Sequence, residues 1–260
     1  MTGHYPEIDG VITYIHQHIN EELSLERLAR YTAYSPFHFT RIFKKQTGLP
    51  PHYYISSIRL QKSKDLLLQT NLSVRDIGME IGQQSLGTFT TRFTERVGVS
   101  PAQFRNSTRQ VSSHLESLQK LTKWEKLYSS VSAYNCVHGT IQAQVPFYGV
   151  ILVGLFSRPI PEGLPLYGTL LSSLGDFHFT DVKPGTYFLM ATAVNWEMRT
   201  NDILLPHTTL RARSRQPIVV QRDSAVPQQQ LTLHKPRLDD PPILVSLPLL
   251  MHRFLQSVTS

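Results

Sequence analysis

One pattern is written twice between Leu23 and Phe104, and any fold for this chain has to accommodate it. Leu23-Ser24-Leu25, Leu28-Ala29, Phe39, Phe43, Gly48, Pro51 and Tyr54 return as Leu72-Ser73-Val74, Ile77-Gly78, Phe89, Phe93, Gly98, Pro101 and Phe104. The offset is 49 residues up to Ala33 and Gly82 and 50 from Ser35 and Ser85 onward, so the second copy carries one extra residue in the turn between its helices. Two copies of a short helical unit therefore set the frame for everything else.

Each copy reads as a short helix, a tight turn and a second helix, which is the helix-turn-helix arrangement. Ser24 caps a helix running to about Tyr31, with Leu25, Leu28 and Ala29 inward. Ser35 followed by Pro36 starts the next helix, because proline in a first turn forfeits no hydrogen bond, and Gly48 ends it after Thr47. In the second copy Ser73 caps the first helix, Gly82 marks the turn, and Ser85 opens a helix that buries Phe89, Phe93 and Val97 and stops at Gly98. Pro6–Asn20 precedes the pair as an amphipathic helix with Ile8, Val11, Ile12, Ile15 and Ile19 on one stripe. Pro51–Thr70 joins the copies as a long helix with Tyr54, Ile55, Ile58, Leu66 and Leu67 inward and Arg59, Lys62 and Lys64 outside.

In the helix Ser35–Thr47, Phe39, Ile42 and Phe43 stand at i, i+3 and i+4 and form the stripe to be buried. Phe37, Thr40, Arg41 and Lys44 are left opposite, with His38 and Lys45 flanking. Such a face suits a helix entering a DNA major groove: arginine donates two bonds to guanine, a threonine or aromatic meets a thymine methyl, and lysines neutralise phosphates. Taken alone, it reads as well as a solvated basic face with Phe37 tucked against its neighbours. The duplication favours DNA, because two such helices on one rigid chain reach major-groove segments about 34 Å apart.

The formal charge of +7 agrees with an anionic partner without choosing among nucleic acid, lipid and acidic protein. Length and hydrophobic content suit two modest domains and exclude wholesale disorder. Cys136 stands alone, which excludes an internal disulfide and a cysteine cage for zinc. Without a signal-peptide pattern or an apolar run long enough to span a bilayer, a cytoplasmic setting and no membrane partner are expected.

The motifs Ser35-x-x-x-Phe39-x-Arg41-x-Phe43-Lys44-x-x-x-Gly48-x-x-Pro51 and Gly98-Val99-Ser100-Pro101-x-x-Phe104-Arg105 resemble the AraC/XylS class of bacterial transcription regulators, over roughly Ile8–Phe104. That resemblance implies two helix-turn-helix units joined by a central helix, binding to double-stranded promoter DNA and recruitment of RNA polymerase. It places Phe37, Thr40 and Arg41 at base-reading positions.

The second unit departs from the pattern. Gly87 stands where the first unit has Phe37, and the arginine usual in this helix, which would match Thr91, comes one residue later as Arg92, in register with the buried Ile42. One residue is about 100° of helix rotation, which turns Arg92 toward a phosphate rather than a base. Gln83 and Gln84 replace the usual aromatic after the turn, and Gly78 replaces a helix-favouring alanine. The expected DNA-contacting set is therefore Ser35, Phe37, His38, Thr40, Arg41, Lys44 and Lys45 for specificity, with Ser85, Thr88, Thr90, Thr91 and Arg92 mostly as anchors.

Beyond Arg105 the composition changes. Asn106–Tyr128 is a polar, helical linker whose Val111, Leu115, Leu118, Leu121 and Trp124 suit either packing on the same chain or a short coiled coil in a homodimer. Thr140–Val145, Gly149–Phe156, Phe177–Val182, Tyr187–Val194, Ile218–Gln221 and Gln230–His234 read as strands, with one more near Leu166–Leu170, about the number a β-sandwich needs. The run Phe177-x-Phe179-x-Asp181-Val182-x-Pro184-Gly185-x-Tyr187-x-Leu189 resembles prealbumin-like or carboxypeptidase-regulatory-like sandwich modules. Arg211-x-Arg213-x-Arg215 reads as a solvated loop or an anion site, and Tyr167, Tyr187 and Trp196 as packing or a ligand groove. Ser246, Pro248, Leu249, Leu250, Phe254 and Leu255 mark a terminal helix that either docks on a partner or covers the sandwich.

The fold class is thus multidomain, α then β: a double helix-turn-helix domain over 1–106, a helical linker over 107–136, a β-sandwich over 137–240 and an amphipathic tail over 241–260. The sandwich is expected to sense a small-molecule effector, to oligomerise or to recruit a protein partner. Some relatives join such a reader to an alkyl transferase that uses a Pro-Cys-His-Arg motif. Asn135-Cys136-Val137-His138 lacks that order, no metal-ligand spacing exists among the histidines, and no glycine-rich phosphate loop is present. A non-enzymatic chain without cofactor or metal is expected.

Overall fold

The computed structural model describes residues 4–83, 85–121, 135–222 and 224–259. Helices α1 (Pro6–Gln17), α2 (Leu25–Tyr31), α3 (Pro36–Thr47), α4 (Pro51–Gln69), α5 (Val74–Glu80), α6 (Leu86–Val97) and α7 (Pro101–Asn106) form the first half. Five of them start where the sequence places a serine. The Oγ atoms of Ser24, Ser35, Ser73, Ser85 and Ser100 accept the amides of Arg27, His38, Asp76, Thr88 and Gln103, at 3.1 to 3.4 Å. Gly48 (φ 84°) and Gly98 (φ 92°) end α3 and α6 in the left-handed region, where a glycine carries no steric penalty.

The duplication persists in the packing. Phe39, Phe43 and Tyr54 form a chain of ring contacts, with centroids 5.5 and 5.4 Å apart, and Phe89, Phe93 and Phe104 repeat it at 5.8 and 5.8 Å. All six rings are fully buried. Edge-on and tilted ring pairs add to the area they remove from water.

After α8 (Thr108–Gln119) the chain becomes β: β1 (Val137–Ala143), β2 (Gly149–Phe156), β3 (Tyr167–Leu171), β4 (Gly175–Phe179), β5 (Gly185–Asn195), β6 (Arg211–Arg213), β7 (Ile218–Val220) and β8 (Gln229–Leu233). One sheet has the order β4-β1-β8 and the other β3-β2-β5-β6, with β7 also on β5. Val137, Ile141, Leu231 and Leu233 of the first sheet meet Ile151, Val153, Leu155, Leu189 and Ala191 of the second to make the sandwich core. A short helix, α9 (Thr200–Leu204), follows β5, and α10 (Leu247–Thr259) ends the described chain.

The two halves share a core. Every residue of β2 is buried. Its Ile151, Val153 and Leu155 face the sandwich, whereas Val150 and Leu152 join the apolar cluster that holds Phe43, Phe93 and the rest of the helical half. A segment from Pro241 to Ser246, buried throughout, lies along the helical half and leads into α10.

This union overturns three expectations. Lys64, expected outside, is fully buried and donates to the carbonyl oxygens of Ile243 (3.0 Å) and Leu244 (3.4 Å), with its Nζ 5.4 Å from the Phe104 ring centroid. Arg59 is half-buried and donates to the carbonyls of Ile19 and Glu21. Arg211 and Arg213 lie in strand β6, not in a solvated loop, and their guanidinium groups are used on backbone carbonyls. The partners of Lys64, Arg59 and Arg213 lie far along the chain, where periodicity has no reach, whereas Arg211 turns back on Pro206 and Thr209 close by. The apolar stripes of α8 (Val111, Leu115, Leu118) and α10 (Leu247, Met251, Phe254) are also buried, and the two helices pack on each other. Trp124, part of the linker stripe, lies outside the described residues.

Candidate nucleic-acid interface

The outward face of α3 is left in water by everything that packs on its back. Phe37 is 83% exposed, and Arg41 and Lys44 are exposed, while Phe39, Ile42 and Phe43 beneath them are buried. Phe37 is therefore not tucked against its neighbours. Its ring contributes nothing to the buried stripe beneath it. No acidic residue occurs between Pro36 and Thr47, so nothing on α3 opposes its cations.

The other residues of the first set are individually constrained. Thr40 donates its hydroxyl to the carbonyl of Pro36 at 2.8 Å, which uses its proton internally and leaves its methyl as the outward group. His38 is half-buried, edge-on to Tyr34, with its Nδ1 3.4 Å from Arg41 Nη2. Ser35 is occupied as the cap. Lys45 leans away from the outward face, donating to Tyr5 Oη at 3.0 Å with its Nζ 5.5 Å from that ring centroid. Lys44 makes no hydrogen bond or ion pair among the described residues, and is the free cation of the pair.

On α6 the corresponding face is exposed at Ser85, Gly87, Thr88, Thr91 and Arg92, and Thr90 is half-buried. Arg92, aligned with the buried Ile42, is in fact exposed. Its Nη1 donates to Gln83 Oε1 at 3.3 Å, and it lines a cleft of about 510 Å³ with His52 and Tyr53 of α4, Arg96 of α6 and Arg158 after β2. Leu86, 47% exposed in the first turn of α6, was missed by sequence reasoning. Its only signal was that it falls outside the Phe89/Phe93/Val97 stripe.

The C-terminal ends of both helices are held by the sandwich half. Arg213 Nη1 donates to the carbonyl of Thr47 at 2.6 Å, at the end of α3. The amides of Gly163 and Ser246 donate to the carbonyls of Arg96 (2.6 Å) and Val97 (2.8 Å), at the end of α6. These supply partners for carbonyls that a helix end leaves open. Glu162, nearly buried, accepts from Arg96, Tyr53 and Arg158 across the same junction.

A family profile described as "Helix-turn-helix domain" matches residues 28–107. The HTH-type transcriptional activator AarP of Providencia stuartii is 32% identical over 100 residues, 38% of this chain and 74% of that protein. The chain belongs to the AraC/XylS family of transcription regulators. Other AraC/XylS-type relatives match less of their own length. The uncharacterized HTH-type transcriptional regulator YobQ of Bacillus subtilis (strain 168) is 38% identical over 37% of this chain and 40% of that protein. The bifunctional transcriptional activator/DNA repair enzyme AdaA of the same organism is 35% identical over 39% of this chain and 48% of that one. This chain thus spans less than half of either. Among solved structures, the DNA-binding domain of AdpA, in complex with a target DNA, is 26% identical at a TM-score of 0.38, over 40% of this chain and 93% of that one. The AraC/XylS-type profile ends at residue 107, before the sandwich begins.

Proposed function

We propose that this chain is a sequence-specific DNA-binding transcription regulator in which α3 reads bases, α6 mainly anchors the duplex, and the sandwich with α10 senses a small-molecule effector. The observation that carries it is the outward face of α3: Phe37, Arg41 and Lys44 stand exposed over a fully buried stripe, with no acid among them, in a member of the AraC/XylS family. Arg41 is suited to a guanine edge, Phe37 and the Thr40 methyl to a thymine methyl, and Lys44 to a phosphate. The face of α6 has hydroxyls, a glycine and an arginine tethered to Gln83, which suits backbone contacts.

The reading includes a cytoplasmic setting, recruitment of RNA polymerase at a promoter and no catalysis. Cys136 is buried and desolvation pushes its thiol up, the opposite of what a nucleophile needs. A homodimer through α8 or α10 gains no support, because their apolar stripes are buried within the chain.

The test is in vitro site selection with the full chain and two variants. Arg41→Ala is expected to relax base preference at the positions α3 reads, and Thr91→Ala to weaken all sites about equally. If Thr91→Ala changed the selected sequence and Arg41→Ala did not, the assignment of roles would be reversed.

A further inference from the structure

A cavity of about 220 Å³ lies between the outer face of the larger sheet and α10. Its floor is formed by two rows on one sheet face. In the first row Gly154 pairs with Gly168 on one side and Met190 on the other, and in the second Leu152 pairs with Leu170 and Thr192. Pro165 packs over the paired glycines of the first row, and Leu250 and Phe254 of α10 close the space from above. An apolar cavity of about 150 Å³ accommodates benzene, so this one has room for a single ring or a branched chain with a short substituent.

One ionisable side chain lines it. Arg253 of α10 is exposed at the cavity's edge and makes no ion pair or hydrogen bond among the described residues, and no Asp or Glu is among the lining residues. A guanidinium with its donors unused beside an apolar chamber matches a carboxylate on an apolar body, because the planar fork takes both carboxylate oxygens.

Two walls of this cavity also hold the second recognition helix. The loop Pro161–Pro165 lines it and supplies the Gly163 amide that donates to Arg96 O, and the segment through Val245 lines it and supplies the Ser246 amide that donates to Val97 O. In the first turn of α10, Leu249 Cδ2 lies 2.8 Å from where a Cβ on Gly98 would stand. Whatever fixes α10 over the sheet therefore fixes the end of α6.

We infer that the chamber between the sheet and α10 binds a small apolar monocarboxylic acid, carboxylate on Arg253, and that its occupancy is relayed through Gly163 and Ser246 to α6. This rests on the regulator reading and names the site and ligand chemistry for it. A ligand that binds better to the ordered junction stabilises it by mass action, and by reciprocity DNA on α6 tightens the ligand by the same factor.

The experiment is calorimetric titration of the full chain with benzoate, phenylacetate and isovalerate, with benzyl alcohol as the neutral control, paired with DNA-binding anisotropy on the selected site. At least one acid is expected to bind at least tenfold tighter than benzyl alcohol, and to raise DNA affinity by about tenfold, within the usual range of allosteric coupling. Arg253→Gln is expected to erase the preference for acid over alcohol. Leu250→Trp, which fills the chamber from the roof, and Thr192→Met, which fills it from the floor, are expected to abolish acid binding while unliganded DNA affinity stays within about twofold. Thermal melts identify any variant that fails to fold, in which case the other filling variant decides.

Absence of binding by all three acids, or binding that survives both Arg253→Gln and the filling variants, overturns the site. Binding without any change in DNA affinity overturns the relay. Failure of the unliganded chain to select a DNA sequence refutes the regulator reading instead, and the titration still stands or falls by itself.

Discussion

Arg213 of the sandwich donates to the carbonyl oxygen of Thr47 at 2.6 Å, so a residue 166 positions away closes the last turn of α3. The same guanidinium reaches Asp239 O at 3.3 Å, and a Cβ on Gly48 would stand 2.6 Å from its Nη1. Removing it leaves buried carbonyls without donors. Arg213→Ala is expected to lower unfolding free energy by roughly 2–4 kcal/mol in urea titration, with Arg213→Lys recovering part of the loss because an ammonium lacks the guanidinium fork. An unchanged midpoint would mean that the carbonyls find water instead.

Lys44 and Lys45 are adjacent in sequence and unequal in structure. Lys44 is free, and Lys45 is engaged with Tyr5. Lys44→Ala is expected to reduce the slope of log affinity against log salt by about 0.9, the release of one phosphate's counterion. Lys45→Ala should change that slope by less than half as much and should instead loosen the packing of α1. Equal slopes for the two variants would place both on phosphates.

The turn residues Ala33 (φ 57°) and Gly82 (φ 76°) share the left-handed conformation, which only the glycine adopts without strain. Ala33 is exposed, so its replacement disturbs little packing. Ala33→Gly is expected to stabilise the chain by about 1 kcal/mol and Gly82→Ala to destabilise it by a similar amount, both read from thermal or urea melts. A loss on Ala33→Gly would mean that unfolded-chain entropy outweighs the relief of strain.

Burial pushes the Lys64 ammonium down to about 7, against 10.5 in an open chain. Between those values the unfolded chain holds the proton and the folded chain does not, so stability rises with pH from about 7 toward 10.5 and falls as pH drops toward 7. From pH 7 to 9 the gain is roughly 2 kcal/mol. Lys64→Met, which keeps the stem but not the titrating group, is expected to flatten that rise in melts across the range. A rise that survives the substitution would assign it to another group.

How far the sequence reached depends on how far apart the interacting residues are. The caps at Ser24, Ser35, Ser73, Ser85 and Ser100 involve partners three residues on, and local pattern located all but the last, which entered only through the downstream motif. The buried stripe of α3 and its exposed Phe37 and Arg41 followed from helical period alone. Lys64 and Arg213 were misread because their partners lie beyond residue 235 or across the junction, and a basic residue in a polar stretch resembles a solvated one until its acceptors are known. Strand β6, three residues long and rich in arginine, lacks the β-branched and aromatic content by which strands are recognised. The α10 chamber had no sequence signal, since its walls come from β2, β3, β5, the loop at Pro165 and α10, which meet only in the folded chain.

Strand β2 carries a practical consequence. Because it is buried on both faces, and because Lys64 and Gln61 of α4 find their partners at Ile243, Leu244 and His207, the DNA reader is not a portable cassette. A fragment cut after Leu121 would keep the motif and lose the surface that completes it. Grafting this reader onto a foreign protein calls for carrying β2, His207 and Pro241–Ser246 along with it, as a splint supplied from the second half of the chain.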